Sequence, residues 1–510
     1  MNGNALSMDI KMEWRNNEEM KKCERRGVIY QILMCLSANV VVLGPAMGFG
    51  YSAVTLGPLM SPSSDVKIDF NQANWIATAS ALGIPAGCVL SSFLLRRGRK
   101  LTLLIVSIVS FIGWIIIYMS DTYEEIFIGR VISGIGTGLG SVPTTVYAGE
   151  IANVKWRSTM VTWTGIFIAL ALLIVYIFGC IFKDDWRMIA LMCGLFPVIS
   201  IALILLVLPE SPIWLRERGR LDEALEILKK FRGISKDDPV TMDILLELKP
   251  RNQEGNDKKN LLKHVFTRNA LIPFMIMLMY FLFQQFSGIF VMIYYAVDIV
   301  RSAGITLDPY LGAVFIGVAR LIGSLLIAIF SSKYGRRIPS IVSGSGMTIF
   351  MVTLSIYLFV VDKGYVINDN GIIPAVCIVM YIFLSTLGFL SIPFAMIGEI
   401  YPSKVKDLLS GLTTCINYIF SSITVKIFPN MLSYMGKHGV FFFYAIVSLT
   451  GTIFLLLFLP ETKGKSLNEI EDMFGKKKCK NISKIDDTAV VRYSNDIENI
   501  LIENGDKIKT

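Results

Sequence analysis

Pro209-Glu210-Ser211-Pro212-Ile213-Trp214-Leu215 and Pro460-Glu461-Thr462-Lys463-Gly464-Lys465-Ser466-Leu467 are two versions of one phrase, set 251 residues apart. Each follows the last apolar stretch of one half of the chain. Two further pairs keep the same order. Gly98-Arg99-Lys100 is echoed 237 residues later by Gly335-Arg336-Arg337, and Glu150 is echoed 249 residues later by Glu399. Punctuation repeated at this spacing marks two related halves.

Composition says what the halves are made of. Of 510 residues 53% are apolar and only 17% charged, with a mean hydropathy of +0.58. An ordinary soluble domain carries about 25% charged residues. Windows of roughly 20 apolar residues, the length that crosses a hydrocarbon core, recur near 28–50, 72–95, 101–119, 126–150, 158–182 and 186–208. They recur again near 271–296, 311–330, 338–361, 371–398, 408–428 and 439–459. The expected fold is an all-α membrane protein with twelve spans in two six-helix repeats. The expected organisation is a tail at 1–27, a bundle at 28–208, a central loop at 209–270, a second bundle at 271–459 and a tail at 460–510. Within the central loop, Leu221 to Lys230 has helical periodicity and predicts a short helix. No short apolar core with a cleavage site follows the polar N-terminus, so the first span reads as uncleaved.

Lys and Arg in the short loops set orientation. Lys11, Arg15, Lys21, Lys22, Arg25 and Arg26 precede span 1; Arg96, Arg97, Arg99 and Lys100 follow span 2; Lys333, Arg336 and Arg337 follow span 8. Both termini and the central loop are expected in the cytoplasm. The net charge of +9 is thereby a topology signal and does not imply a nucleic-acid partner; the implied partner is the lipid bilayer. Two histidines and eight cysteines without CxxC spacing give no basis for a metal site, a cofactor or a disulfide framework, and no enzyme constellation is present. Two parallel six-span halves suit an alternating-access carrier with its site between them.

Charges at span ends form the second pattern. Arg99, Arg336 and Arg337 are placed to bond the helix-end carboxylates Glu150 and Glu399 and the negative ends of helix dipoles. Such pairs are expected to clamp the two halves together at the cytoplasmic side and to break on opening; plain topology charge is the alternative for any one of them. Glycines 129, 134, 136, 138 and 140 in span 4 allow close helix approach, while Gly388 and Pro393 are expected to weaken span 10, with packing alone as the bland reading.

Eight phrases in order carry a family resemblance: Gly98-Arg99-Lys100, Gly129-Arg130, Tyr147-Ala148-Gly149-Glu150-Ile151 with Arg157, the first Pro-Glu phrase, Gln284-Gln285-Phe286-Ser287-Gly288, Gly335-Arg336-Arg337, Glu399 with Lys406, and Pro460 to Ile470. Over residues 28–475 the chain resembles the sugar porter family of the major facilitator superfamily, most nearly its insect facilitated-trehalose-transporter-like branch. The resemblance implies a major facilitator fold, a small-molecule sugar as substrate, a plasma-membrane location and no required oligomer. It also implies a cytoplasmic gate of Arg99, Arg130, Glu150, Arg157, Glu210, Arg336, Arg337, Glu399, Lys406 and Glu461. Two departures bear on that gate: Leu95-Arg96 and Ser332-Lys333 stand where the family has an acidic residue, and Lys406 stands for an Arg, giving a point charge instead of a fork.

Proton-coupled members of the family resemble one another in a Phe-Gly-Tyr-Asp phrase whose Asp faces an Arg in span 4. Here the phrase is Phe49-Gly50-Tyr51-Ser52, with Arg130 retained. Serine carries no proton near neutral pH, so uniport of a sugar such as trehalose or a hexose is expected, with proton symport and a non-transporting sugar sensor as alternatives. The polar stretch 475–510 shows no signalling domain, which favours transport. By the same resemblance Gln284, Gln285, Asn417 and Tyr418 line the sugar pocket, with interhelical bonding as the alternative for the glutamines. Phe290, Thr386 and Phe394 replace polar or indole contacts of the family, and Gly165 or Thr164 replaces a span 5 Gln, implying a less polar pocket than a glucose site. Arg320 replaces an Asn in mid-span 8. It reads either as a structural cross-link to backbone or as a donor to substrate hydroxyls or an anionic group. Lys426 is expected to snorkel outward.

Overall fold

The computed structural model describes residues 3–233, 264–365, 369–402 and 405–463, with positions 469, 473 and 474 beyond them. The rest of the central loop and of the tail from 464, including the second half of the second Pro-Glu phrase, lie outside the described residues. All regular structure among those residues is helical. Eleven helices among the described residues are long and apolar enough to cross a membrane. One of them, Leu408–Phe458, has 51 residues, about 75 Å at 1.5 Å per residue, too long for one pass. Its backbone turns at Gly436 (φ 68°, ψ 174°), dividing it into spans 11 and 12 and giving twelve passes.

The remaining spans are Gly3–Leu59, Phe70–Leu95, Arg99–Met119, Tyr123–Gly140 with Pro143–Ile151, Val154–Ile181 and Trp186–Leu206 in the first half. In the second they are Arg268–Phe286 with Ile289–Tyr294 and Ala296–Ser302, Pro309–Tyr334, Arg337–Asp362, and Ile372–Leu387 with Ile392–Ile400. Two differences from the sequence reading stand out. Span 1 is continuous with a helix starting at Gly3, inside the expected tail. Span 11 runs past its expected end at 428, because Pro429 is carried within the helix, and the turn to span 12 falls at Gly436, inside the expected gap between the two spans. The short helix expected at Leu221 forms over Leu221–Arg232, preceded by Pro212–Glu217.

Spans begin where local chemistry satisfies the free amides. Asp69 accepts from Gln72 N at 2.6 Å while the Gln72 side chain accepts from Asp69 N at 3.0 Å, a reciprocal cap on span 2. Thr122 and Glu125 do the same for span 4. Spans 4, 7 and 10 are interrupted. In span 7, Gly288 takes φ +88° with the Tyr444 ring 2.5 Å from the place a Cβ would occupy, so only glycine fits. In span 10 the break follows Leu387, at Gly388, which is pressed against the Pro339 carbonyl oxygen; both readings of this glycine, weak ladder and close packing, apply together.

Spans 2 and 4 are in backbone contact. A Cβ on Gly134 would lie 2.0 Å from the Ser80 carbonyl oxygen, and one on Gly138 2.1 Å from that of Ile84. Gly129 and Gly136 meet span 3 instead. The outer wall is apolar, as at Leu206 (85% exposed), Ile181 and Ile349, where lipid takes the place of water as solvent. The polar residues Arg130, Gln284, Gln285, Arg320, Thr386 and Asn417 are buried within. Span 2 packs along span 11, and span 5 along span 8, joining the halves.

Replacing Gly134 by Val puts atoms into the span 2 backbone, where overpacking costs about 1–3 kcal/mol or more. Thermal unfolding in detergent should show a clear fall in midpoint for Gly134→Val. Gly165→Ala, which meets nothing within 4 Å, should unfold like the parent.

Candidate functional site

Consecutive residues on a helix point about 100° apart, and the two glutamines of span 7 divide accordingly. Gln285 Nε2 donates to Asn417 Oδ1 of span 11 at 2.6 Å. Gln285 Oε1 and Asn417 Nδ2 have no partner among the described residues. Gln284 instead donates to the Phe389 and Leu390 carbonyls at 2.8 and 2.9 Å, in the break of span 10. For Gln284 the structure therefore supports the interhelical reading, although its Oε1 is also open.

Around this pair, Tyr418 is buried beside Asn417. Phe290 lies edge-on to Phe49 of span 1, 5.9 Å between ring centres. Thr386 returns its hydroxyl to the Ile382 carbonyl at 2.8 Å and lies against Gly323, so its oxygen is spent within its own helix. Phe394 is 37% exposed and meets Phe281 edge-on, 5.2 Å between ring centres. Arg320 is buried with Nη1 unpartnered and lies within electrostatic reach of Tyr176 from the first half and Tyr418 from the second. Open amide donors and acceptors beside aromatic faces suit a polyhydroxylated ligand.

Arg130 is misplaced by the gate reading. It lies 20 residues before Glu150 in span 4, about 30 Å along a helix, and so near the other end of the bundle. Nη1 donates to the Gly48 carbonyl at 3.1 Å, Nη2 to Ser80 Oγ at 3.2 Å and also to Ser52 Oγ, and Nε to the Ile76 carbonyl at 3.5 Å. Every partner is neutral. The Tyr51 ring lies 5.3 Å from the guanidinium carbon.

At the end of the bundle that carries Glu150 and Glu399, the two halves repeat one network. Arg99 forks onto Glu150 (2.7–3.1 Å). Arg336 binds Glu399 at 2.6 and 3.3 Å, and Thr462 adds a bond to Glu399 at 2.9 Å. Glu210 accepts from the backbone N–H groups of Arg99 (3.0 Å) and Lys100 (3.1 Å). Glu461 accepts from those of Arg336 (3.0 Å) and Arg337 (3.0 Å). Each Pro-Glu carboxylate thus caps the N-terminus of span 3 or span 9, where free amides and the helix dipole favour an anion.

The clamp expected between the halves is corrected by these partners. Arg99–Glu150 and Arg336–Glu399 each close within one half, because the arginine and both carboxylates gather round one helix start. Arg337 turns away to the Leu456 carbonyl at 2.5 Å. Arg157 is exposed at the start of span 5 and Lys406 is partly buried at the start of span 11.

Polar contacts joining the halves gather at the opposite end. Lys183 pairs with Asp308, and Tyr310 donates to the Lys183 carbonyl at 3.2 Å. Tyr176 donates to the Ile293 carbonyl at 2.8 Å, Tyr295 to Asn74 Oδ1 at 3.2 Å, and Tyr294 lies 3.4 Å from Ser80 Oγ. Lys426, expected to snorkel, stands over the Trp75 ring at 3.5 Å and so bridges the halves. The sequence reading missed these tyrosines; the pair Tyr294-Tyr295 just past Gly288 was the available signal.

A family model described as sugar (and other) transporter matches residues 38–474. The chain is 28% identical over 483 residues to the facilitated trehalose transporter Tret1 of Bombyx mori, covering 94% of each. It is 29% identical over 450 residues to that of Polypedilum vanderplanki, covering 87% of this chain and 88% of the relative. Among solved structures, the inward open conformation of the xylose transporter XylE from E. coli matches at a TM-score of 0.70 and 21% identity, over 87% of this chain and 100% of that one. At that identity the likeness speaks for the fold.

The caps carry a pH signature. Burial opposes the Glu461 carboxylate, yet the N–H donors of Arg336, Lys463 and Arg337 outweigh it and hold its pKa below the ordinary 4.5. A depressed folded pKa contributes stability that is present above the unfolded value and lost as pH falls through the folded one. The unfolding midpoints of wild type and Glu461→Gln should therefore differ fully at pH 7, begin to converge only below about pH 4.5, and meet in stronger acid.

Proposed function

The chain belongs to the sugar (and other) transporter family, and we propose that it is a uniporter, moving a sugar such as trehalose or a hexose by alternating access. The observation that carries this reading is the company of Arg130: a serine hydroxyl, a second serine and backbone carbonyls, with no carboxylate. Among the described residues no Asp or Glu is fully buried, and a proton carrier needs a titratable group inside the membrane. The relatives named as facilitated trehalose transporters support the same class of cargo.

In this reading the sugar lies against Gln285 and Asn417, its hydroxyls meeting the open Gln285 Oε1 and Asn417 Nδ2, with Tyr418 and Phe290 as apolar faces. In the same reading the protein sits in a plasma membrane with its carboxylate-bearing end toward the cytoplasm, which the Lys and Arg of the short loops support. Each half moves as a body stiffened by its own Arg–Glu network. The halves part alternately at the cytoplasmic end and at the tyrosine-rich outer end, with the breaks in spans 4, 7 and 10 as bending points.

Purified protein in liposomes should let labelled trehalose or glucose equilibrate to equal concentrations on both sides, with or without a protonophore. Uptake abolished by the protonophore would overturn uniport, and absence of uptake across a neutral sugar panel would overturn the sugar reading. Gln285→Ala and Asn417→Ala should each raise KM by about tenfold or more, since an unmade hydrogen bond to a buried amide costs about 1–3 kcal/mol.

A further inference from the structure

Two guanidinium groups are buried inside the spans, and among the described residues no fully buried carboxylate accompanies them. Their situations differ. Arg130 has four acceptors from spans 1 and 2. Arg320 is 6% exposed, and its Nη1 meets no acceptor. It sits 11 residues past Pro309, about 16 Å into the span, near the middle of the hydrocarbon core. A cation at that depth is costly unless something pairs with it.

The surroundings of Arg320 indicate what that partner is. Gly317, one turn before Arg320, packs on the other half: a Cβ there would lie 3.0 Å from Leu173 Cα and 3.2 Å from the Tyr176 ring of span 5. This places that stretch of span 8 between the halves, and Tyr418 of span 11 is within electrostatic reach of Arg320. The Tyr176 hydroxyl is already committed to the Ile293 carbonyl. Tyr418 adjoins Asn417, which holds Gln285. The open atoms of this group are one acceptor, Gln285 Oε1, one neutral donor, Asn417 Nδ2, and one cationic donor, Arg320 Nη1. The two amides already offer a sugar both an acceptor and a donor. A neutral hydroxyl would bond Arg320 without balancing its charge, whereas a carboxylate does both and matches the guanidinium fork.

We propose that Arg320 makes this a site for sugars that bear a carboxylate, of the uronic acid class, with the carboxylate on Arg320 and ring hydroxyls on Gln285 and Asn417. The proposal rests on the sugar-carrier reading. With no proton carried, each sugar acid moves one negative charge across the membrane, so its transport responds to voltage while that of a neutral sugar does not.

The test uses full-length protein in liposomes whose potential is set by a potassium gradient and valinomycin, with glucose, trehalose and glucuronate as probes. Expected are inhibition of glucose uptake by glucuronate, and glucuronate uptake that rises with a positive interior and falls with a negative one. The ratio of glucuronate to glucose uptake should fall about tenfold in Arg320→Gln, the scale of a charged hydrogen bond, and recover in part in Arg320→Lys, which keeps the charge without the fork. The wild-type arm decides by itself should Arg320→Gln fail to fold. Vesicles that carry glucose or trehalose but neither bind nor carry glucuronate overturn the proposal and leave the sugar reading standing. So does neutral-sugar uptake that depends on chloride and ignores glucuronate, which would make an inorganic anion the partner. An unchanged ratio in Arg320→Gln removes Arg320 from the role. Vesicles that carry no probe overturn both readings.

Discussion

A helix that starts at a membrane boundary presents free amides and the positive end of its dipole, and these need an anion. In this protein Glu210 and Glu461 supply it to spans 3 and 9, and the arginine at the start of each, Arg99 opening span 3 or Arg336 capping span 9, reaches on to Glu150 or Glu399. Three parts of a half are thereby fixed to one another: the end of its fourth span, the start of its third, and the segment leaving its sixth. Gly98 and Gly335 complete the constraint. A Cβ at either position would press on the carboxylate, at 2.9 Å from Glu210 and 2.6 Å from Glu461. Trp214, within the first phrase, and Arg218, just after it, also donate to the Arg96 carbonyl, tying the central loop to the same corner.

Rigid halves make the broken spans meaningful. Lipid offers no hydrogen bonds, so backbone groups freed by a break must find partners inside the protein. At the span 10 break they do. The Phe389 and Leu390 carbonyls accept from Gln284, and the Phe389 N–H donates to Ser343 Oγ at 2.9 Å. The glutamine that holds this break neighbours the glutamine that reaches Asn417. The amide that reaches Asn417 and the amide that holds the break are thus consecutive residues of one helix, so a change of shape at the break is passed directly to Gln285. The equivalent span of the first half is interrupted after Gly140, with Pro143 starting its next segment.

Much of this was legible in the sequence for a simple reason. Span length, loop charge and the repeated phrases are one-dimensional signals, so the twelve passes, the two-fold repeat, the span 10 weakness and the helix at Leu221 could be read directly. Pairing is three-dimensional. Arg99 and Glu150 were chosen correctly as partners, but whether such a pair closes within a half or between halves depends on which helix ends meet. Arg130 was grouped with the gate although it sits about 30 Å along span 4 from Glu150, because motif membership carries no depth. The roles of Gln284 and Gln285 could not be separated without knowing which faces span 10. The 11–12 connection was legible as the gap between 428 and 439, but not the residue at which it turns, because Pro429 is carried within the helix and the backbone bends only at Gly436.

Loss of the acid in span 1 and gain of the cation in span 8 act in the same electrical direction. With Ser52 in place of a carboxylate, Arg130 keeps its full charge, met only by neutral oxygens and the face of Tyr51. Arg320 adds a second charge without a bound acceptor. In a medium of low dielectric the potential of two such groups reaches far. It disfavours binding of a proton or a metal cation between the halves and favours a neutral or negative guest. The uniport and the anionic cargo proposed above would therefore both follow from one charge distribution.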